Sequence, residues 1–441
     1  MADEKQPFKI DTQHYPALNV NADNLAVSDD DEMKTPQRDG RTPFFQSFPR
    51  SLSQRPLIDY VKDNWGSSRS RPRAGSVSAS RSPPDNAFRF FLSMISAPKF
   101  RRYVLVYFVL VLSFYIGWSS FLQPVLEERA GLVRALDLET MKKVGGWFGT
   151  NTRPVFANVV PMRSLDPGLL PASKQGDSSD VQQRRLVFVG DVHGCKDELE
   201  RLLKKVSFDG EAGDHLIFTG DMVHKGPDSS GVVDLARGLK ASCVRGNHED
   251  RILLLRSQMK NDDTFSHPEN DFNPNDASQR KVARELSDEQ ASWLQDCPVI
   301  LKVGQISGIG DVLVVHGGLV PGVGLERQDL SSVMTMRTID LDTHVPSASK
   351  KDGVAWFKLY NKYQELLLKH IENSVDGVYG ALSRTTTIIY GHDAAKSLNI
   401  QKYTKGLDSG CVYGHKLSAL VIGNDGKQDV VQVGCKKYAK S

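Results

Sequence analysis

The chain has 441 residues, 39% of them apolar and 25% charged, with a formal net charge of +3. That length allows two or three domains, and a charge so close to neutral announces no nucleic-acid partner. Its five cysteines (Cys195, Cys243, Cys297, Cys411 and Cys435) include no CxxC pair, which argues against a zinc ribbon and a disulfide-stapled scaffold; most are expected to be small buried hydrophobes, with one disulfide open if the domain faces an oxidising compartment.

Residues 1–98 carry no sustained apolar period and are rich in Ser, Pro, Asp and Arg, as in the run Asp29-Asp30-Asp31-Glu32. Such a segment buries too little apolar area to offset its ordering entropy, so a disordered tail is expected. Arg73, three residues before Ser76, suits a basophilic kinase, but the pattern is common by chance and a plain solvated tail is the preferred reading.

Twenty residues without a charge follow at 103–122, YVLVYFVLVLSFYIGWSSFL. A helix of ~20 residues spans the ~30 Å hydrocarbon core of a bilayer, and Tyr103 and Trp118 stand near the two ends, where an interface holds aromatic rings. The pattern predicts one transmembrane helix over 99–123. Residues 65–102 hold eight basic side chains and one acidic, whereas 127–143 hold four of each sign. Cytoplasmic flanks carry the Lys/Arg excess. A single-pass type II orientation is therefore expected, with the N-terminus cytosolic and the C-terminal part lumenal or external.

Residues 124–184 are read as stalk and linker: 126–143 has loose helical periodicity, and 154–180 is rich in Pro, Gly and Ser. The pattern sharpens over 185–441. Apolar runs at 185–190 and 215–220 each lead into Gly-Asp, helical spacing covers 196–206 and 232–239, and a third strand is expected at 241–245. This alternation predicts an α/β domain with a largely buried sheet. No internal repeat is visible.

Three strands end in polar clusters: Gly190-Asp191-Val192-His193-Gly194, then Gly220-Asp221-Met222-Val223-His224-Lys225-Gly226, then Arg245-Gly246-Asn247-His248-Glu249. Two later strands end in His316-Gly317-Gly318 and Gly391-His392. Sites in open α/β sheets lie beyond the carboxyl ends of strands, so these loops are expected to converge. Asp, Asn and His suit divalent metals, and glycine beside a ligand lets the backbone approach closely. Two ions ~3.5–4 Å apart can hold a bridging hydroxide and polarise phosphoryl oxygens. Such a pair needs a shared carboxylate, and Asp221 is the candidate.

In this order the motifs GDVHG, GDMVHKG, RGNHE, HGGLVP and YGH resemble the phosphoprotein-phosphatase branch of the calcineurin-like metallophosphoesterases over 185–433. Segment 407–420 is similar to bacterial-type members of that branch, among them symmetrical diadenosine tetraphosphatases. With one membrane span ahead of the domain, the whole chain most resembles the fungal vacuolar zinc-dependent endopolyphosphatases. The resemblance implies a β-sandwich flanked by helices in αββα layers. It implies cleavage within inorganic polyphosphate in the vacuole lumen, by two divalent metal ions: zinc, with cobalt or manganese as alternatives. It places Asp191, His193 and Asp221 on the first metal, and Asp221, Asn247, His316 and His392 on the second, with His248 as general acid. Lys225 stands where an arginine usually clamps phosphate, and a point charge replaces the bidentate fork. Arg245 is expected to add positive potential and Arg337 to be a second clamp. His224 replaces an aspartate that orients the acid, so that orienting partner is expected to be missing.

Other residues invite plainer readings. His415 is taken as a group beside the site or on the surface, Cys195 as a buried thiol, His215 as structural, and 356–370 as a core helix. The polar stretch 256–285 is either an inserted lid or a surface loop. Three further functions compete: a Ser/Thr protein phosphatase, a symmetrical dinucleoside tetraphosphatase, and a membrane-anchored binding protein on an inactive scaffold. The last is weakened because every metal position is filled, the first by His224-Lys225 in place of Asp-Arg. Residues 191–441 hold 31 basic and 34 acidic side chains, a net of −3, so a polyanionic substrate requires a local basic groove.

Overall fold

The computed structural model describes residues 97–137, 140, 159–171, 184–261, 276–372 and 385–440. The tail expected over 1–98 lies almost wholly outside them. The described residues divide into two units, one ending at Pro124 and one running from Val125.

The first unit is helical. Helix α1, Pro98–Gly117, is followed by a wider π turn, Trp118–Leu122; α2, Gln123–Ala135, lies almost wholly in the second unit. The π turn sits just ahead of Pro124, whose missing N–H leaves the preceding turn without its usual donor. Pro98–Ala135 has a mean hydropathy of 1.9 over its most apolar window, none of it buried, and is long and apolar enough to cross a membrane.

The second unit is a two-sheet sandwich. One sheet has five strands in the order β14-β13-β2-β3-β4: β2 (Leu186–Val189), β3 (His215–Phe218), β4 (Ser242–Cys243), β13 (Lys416–Ile422) and β14 (Gln428–Gly434). The other has six, ordered β1-β5-β6-β10-β12-β11: β1 (Met162–Ser164), β5 (Ile300–Ile306), β6 (Gly310–Val315), β10 (Thr386–Tyr390), β11 (Asn399–Ile400) and β12 (Thr404–Gly406). A small third sheet joins β7 (Thr338–Ile339), β8 (Pro346–Ser347) and β9 (Val354–Ala355). Pairs β2–β3, β3–β4, β6–β10 and β10–β12 are parallel.

The strand sequences explain the layering. β2 is buried at every position, so its residues are apolar without alternation, as expected of a strand covered on both faces. Leu186 and Phe188 join Ile217, Leu420, Leu301, Val312, Val314 and Ile389 between the sheets. Val187 and Val189 face helices α3 (Lys196–Val206) and α4 (Ser229–Gly238). In α3 the buried apolar residues Leu199, Leu202, Leu203 and Val206 follow the helical period and form one stripe. Further helices are α5 (Asn247–Asn261), α6 (Ala277–Glu285), α7 (Asp288–Gln295), α8 (Leu330–Thr335) and α9 (Trp356–Glu372). Trp356, Leu359, Tyr360, Tyr363 and Leu367 of α9 pack on the outer face of the six-stranded sheet. The layers are thus αββα, as expected.

Two expectations need correction. The span 124–184 is more than stalk and linker: Leu132, Ala135 and Leu136 sit in the core beside α9, and β1 pairs with β5 in parallel register. Three residues, Met-Arg-Ser, show no period, and only the pairing with a distant strand makes them a strand. The cysteines are mostly not free thiols: Cys243 pairs with Cys297 and Cys411 with Cys435, leaving Cys195 buried and reduced. Partners 54 and 24 residues apart carry no spacing signature, and folding brings their Cα atoms to 5.3 and 5.2 Å, within disulfide range.

Candidate metal centre

The loops after β2, β3, β4, β6 and β10 converge at one end of the sandwich, because parallel strands with short connections present their carboxyl ends on one side. They line a cleft of about 270 Å³ that contains Asp191, His193, Asp221, Asn247, His248 and His392. His316 lies beneath, fully buried, with Nε2 3.2 Å from Asp221 Oδ2 and 3.1 Å from Asn247 Oδ1. His193 Nε2 is 3.7 Å from Asp221 Oδ2 and 4.0 Å from Asp191 Oδ2. Two donor groups, His193/Asp221/His248 and Asp221/His316/His392, each gather within 4.8 Å, and Asp221 belongs to both.

The hydrogen bonds assign the imidazole tautomers, since a carbonyl can only accept. His316 Nδ1 donates to Thr219 O at 2.8 Å, His193 Nδ1 to Val223 O at 3.3 Å, and His392 Nε2 to Thr335 O at 2.9 Å. Each neutral ring therefore presents a bare nitrogen to the cleft. At His316 three acceptors then face one another: its Nε2, Asp221 Oδ2 and Asn247 Oδ1. Only a cation or an added proton reconciles them.

The electrostatics agree. Asp191, Asp221 and Asp408 are 3, 2 and 5% exposed, and several uncompensated carboxylates cannot share so dry a space. Burial and then the neighbouring Asp408 push the Asp191 carboxyl well above the usual range. Burial also acts to raise Asp221, but the facing His316 and His248 outweigh it and hold this carboxyl well below. Burial lowers His316, yet Asp221 and Asp191 overcome it and lift the ring to about 10. A proton on His316 thus supplies the positive charge that a metal would bring. Oxygen and imidazole donors around a shared carboxylate fit divalent cations.

The backbone is shaped for these contacts. His193, Asp221, His392, Lys225 and His224 all adopt left-handed φ, from +50° to +73°. Each costs on the order of 1–3 kcal/mol, a cost proteins concentrate at functional sites. A methyl group at Gly246 would overlap Asp221 Oδ1, and one at Gly391 would overlap Asp191 Oδ1, so both positions require glycine.

The remaining predicted residues divide. Lys225 Nζ lies 3.2 Å from His193 Nε2 and 5.6 Å over the Tyr413 ring, in the cleft. Arg337 also lines the cleft, held by Ala348 O at 3.1 Å and His392 O at 3.3 Å. Arg245 does not line it. Its side chain is buried against α7, bonded to Gln295 O at 2.6 Å and Asp250 Oδ1 at 3.3 Å, away from the cleft to which it was expected to add positive potential. The adjacent loop turns Asn247 and His248 into the cleft and the arginine away from it.

His248 does have a partner. Its Nδ1 is 3.0 Å from Nδ1 of His224, whose Nε2 is 3.1 Å from Ser278 Oγ on α6. The expected gap is filled by a neutral imidazole, which burial and then His248 and Lys225 hold down to about 4. The polar stretch read from residue 256 is partly regular: Arg256 is buried in α5, α6 carries Ser278, and 262–275 lie outside the described residues. His415 is exposed on the cleft rim, and His215 bonds Ser242 Oγ at 2.9 Å inside the sheet.

Sequence reasoning passed over two carboxylates. Glu249, fully buried, accepts backbone N–H bonds from Asp221 (2.7 Å), Met222 (2.8 Å), Val223 (3.2 Å) and Gly246 (2.9 Å), which ties the second and third loops together. Its place directly after Asn247-His248 was the available signal. Asp408 lines the cleft and accepts from Gly410 N at 3.0 Å; it was visible only as part of the late Leu-Asp-Ser-Gly segment.

Comparison with known proteins agrees with this geometry. The model of the calcineurin-like phosphoesterase family matches residues 184–418. A zinc-dependent endopolyphosphatase of Saccharomyces cerevisiae is 31% identical over 307 residues, covering 62% of this chain and 88% of that relative. Symmetrical bis(5'-nucleosyl)-tetraphosphatases of Shewanella putrefaciens and Coxiella burnetii are 24% and 28% identical, covering 57% and 54% of this chain and 98% and 88% of theirs. The chain is a metallophosphoesterase and belongs to the calcineurin-like phosphoesterase family.

Proposed function

We propose that the protein hydrolyses phosphoanhydride bonds within inorganic polyphosphate. The observation that carries this reading is the shared carboxylate: Asp221 stands between two donor groups, as a dinuclear hydrolytic centre requires. Asp191, His193 and Asp221 would hold one divalent cation; Asp221, Asn247, His316 and His392 would hold the other, with zinc first and cobalt or manganese as substitutes. When bound, such a pair supplies Lewis-acid activation of water and of the phosphoryl oxygens.

The protein's own groups do the rest. His248 carries a proton on Nε2 for the leaving oxygen, and His224 fixes its ring through the Nδ1 contact. Lys225, in the loop after β3, and Arg337, tied to the loop after β10, bind phosphate oxygens in the cleft. The 31% identical zinc-dependent endopolyphosphatase supports the substrate and the metal. The helix Pro98–Ala135 and the basic excess before it support a membrane anchor with a cytosolic N-terminus. Two disulfides in the catalytic unit suit an oxidising lumen, here that of the vacuole.

The test offers the purified protein long-chain polyphosphate, diadenosine tetraphosphate and a phosphopeptide in parallel, with zinc, cobalt or manganese. The expected result is the highest kcat/KM on polyphosphate, abolished in Asp221→Asn and His248→Asn. Preference for diadenosine tetraphosphate or the phosphopeptide would replace this substrate, and near-normal turnover in either variant would remove the mechanism.

A further inference from the structure

Charge in the cleft is sorted by depth. The carboxylates Asp191, Asp221 and Asp408 form a buried floor, and no other carboxylate lines it among the described residues. The cations reach it from the rim, and they come from both halves of the sandwich. Lys350, in the turn between β8 and β9, lines the wall that carries Arg337, which is tied to the loop after β10. Lys225, after β3, lines the cleft beside Tyr413, and Tyr413 and His415 lead into β13.

The segment that carries Tyr413 and His415 pairs with the chain's last residues. Cys435 N donates to His415 O at 2.9 Å, Tyr413 and Lys437 form an antiparallel bridge, and Tyr438 N donates to Val412 O at 2.9 Å. The disulfide Cys411–Cys435 fastens the two strands of chain together. Lys437 is thereby packed on Gly414, where an added methyl would meet its Cβ at 2.9 Å, directly between the cleft residues Tyr413 and His415. Lys350 and Lys437 are exposed, and neither forms an ion pair among the described residues.

We propose that Lys350 and Lys437 are outer anion-binding residues that hold a linear polyanion on both sides of the metal centre, so that the phosphate delivered to the centre is an internal one. The inference rests on the polyphosphate reading above and deepens it. A chain end needs one cationic approach only; cations contributed by both halves of the sandwich favour a chain that continues in both directions. Each exposed lysine contributes modestly and is screened by salt, but several in series add. The disulfide and the β-bridge fix the backbone beneath Lys437 before substrate arrives, so binding orders the side chain and not the segment that carries it.

The experiment measures kcat/KM on long-chain polyphosphate and on tripolyphosphate for the full chain in detergent. It compares wild type, Lys350→Ala, Lys437→Ala, the double variant, and the two Lys→Arg counterparts. The expected result is that the double variant loses about threefold to tenfold more on the long chain than on tripolyphosphate, the range two exposed ion pairs supply. The extra loss appears in KM, is smaller in each single variant, is restored by arginine and shrinks at high ionic strength. Equal proportional losses on both substrates, or none on either, overturn the inference alone. A wild-type protein that cleaves diadenosine tetraphosphate or a phosphopeptide but neither polyphosphate overturns the substrate reading and this inference with it.

Discussion

The disulfide Cys243–Cys297 offers a direct test of the tertiary structure, because nothing in the sequence paired these residues. It ties β4, the strand that feeds Asn247 and His248 into the cleft, to the turn after α7, where Pro298 O also accepts Arg245 N at 2.8 Å. The bond closes a loop of 54 residues, and the chain-entropy relation assigns such a closure about 4 kcal/mol. The 24-residue closure of Cys411–Cys435 comes to about 3.5 kcal/mol. For a folded unit of this size 1 kcal/mol shifts Tm by roughly 2–4 °C, so Cys243→Ala/Cys297→Ala is expected to melt about 8–16 °C below wild type in scanning calorimetry. Alkylation of the oxidised, unfolded protein followed by mass spectrometry should label one cysteine, Cys195. Five labelled cysteines, or a double variant that melts with the wild type, would refute the pairing.

Other residues carry their own tests. Glu249→Gln replaces an oxygen that accepts two backbone N–H bonds with a donor, and at about 1–3 kcal/mol per unsatisfied group the loss should be roughly 2–6 kcal/mol in urea unfolding; a loss below 1 kcal/mol would contradict the cradle. Gly391→Ala forces a methyl onto Asp191 Oδ1 and should lower bound metal, measured by mass spectrometry of metal content, while the circular dichroism spectrum persists; full metal content would show the loop can give way. His224 is held down to about 4, so the unfolded chain takes its proton first. Stability from this group is complete above 6.5, its ordinary value, and drains as pH falls towards 4. His224→Gln should therefore flatten the acid side of the Tm profile, and a profile that overlays the wild type would exclude the burial. Chelation should lower Tm, since metal at 100-fold over its Kd adds about 2.7 kcal/mol to the folded state; an unchanged Tm in EDTA would argue against the donor cluster.

Legibility in the sequence followed the range of the interaction. Leu199, Leu202, Leu203 and Val206 repeat at the helical period, so α3 could be placed from 196 to 206 by local pattern alone. The convergence of Asp191, His193, Asp221, Asn247 and His392 on one cleft, with His316 beneath, was legible for a related reason. Each follows a short apolar strand, and parallel strands deliver their carboxyl ends to one side. Arg245 shows the limit: it is one residue from Gly246 and two from Asn247, yet the backbone turns it to Gln295 instead.

What the sequence determined by itself was chemistry that travels along the chain: strand followed by ligand, the apolar helix, and the donor types suited to divalent metals. Chemistry that depends on which distant segments touch was set by packing instead. β1 became a strand through β5, His248 received His224 and Ser278 as its support, four cysteines found partners, and Lys437 came to lie beside the cleft. The physical reason is that a local period repeats within a few residues and leaves a pattern, whereas a contact between residues tens of positions apart is selected by packing of the whole and leaves none.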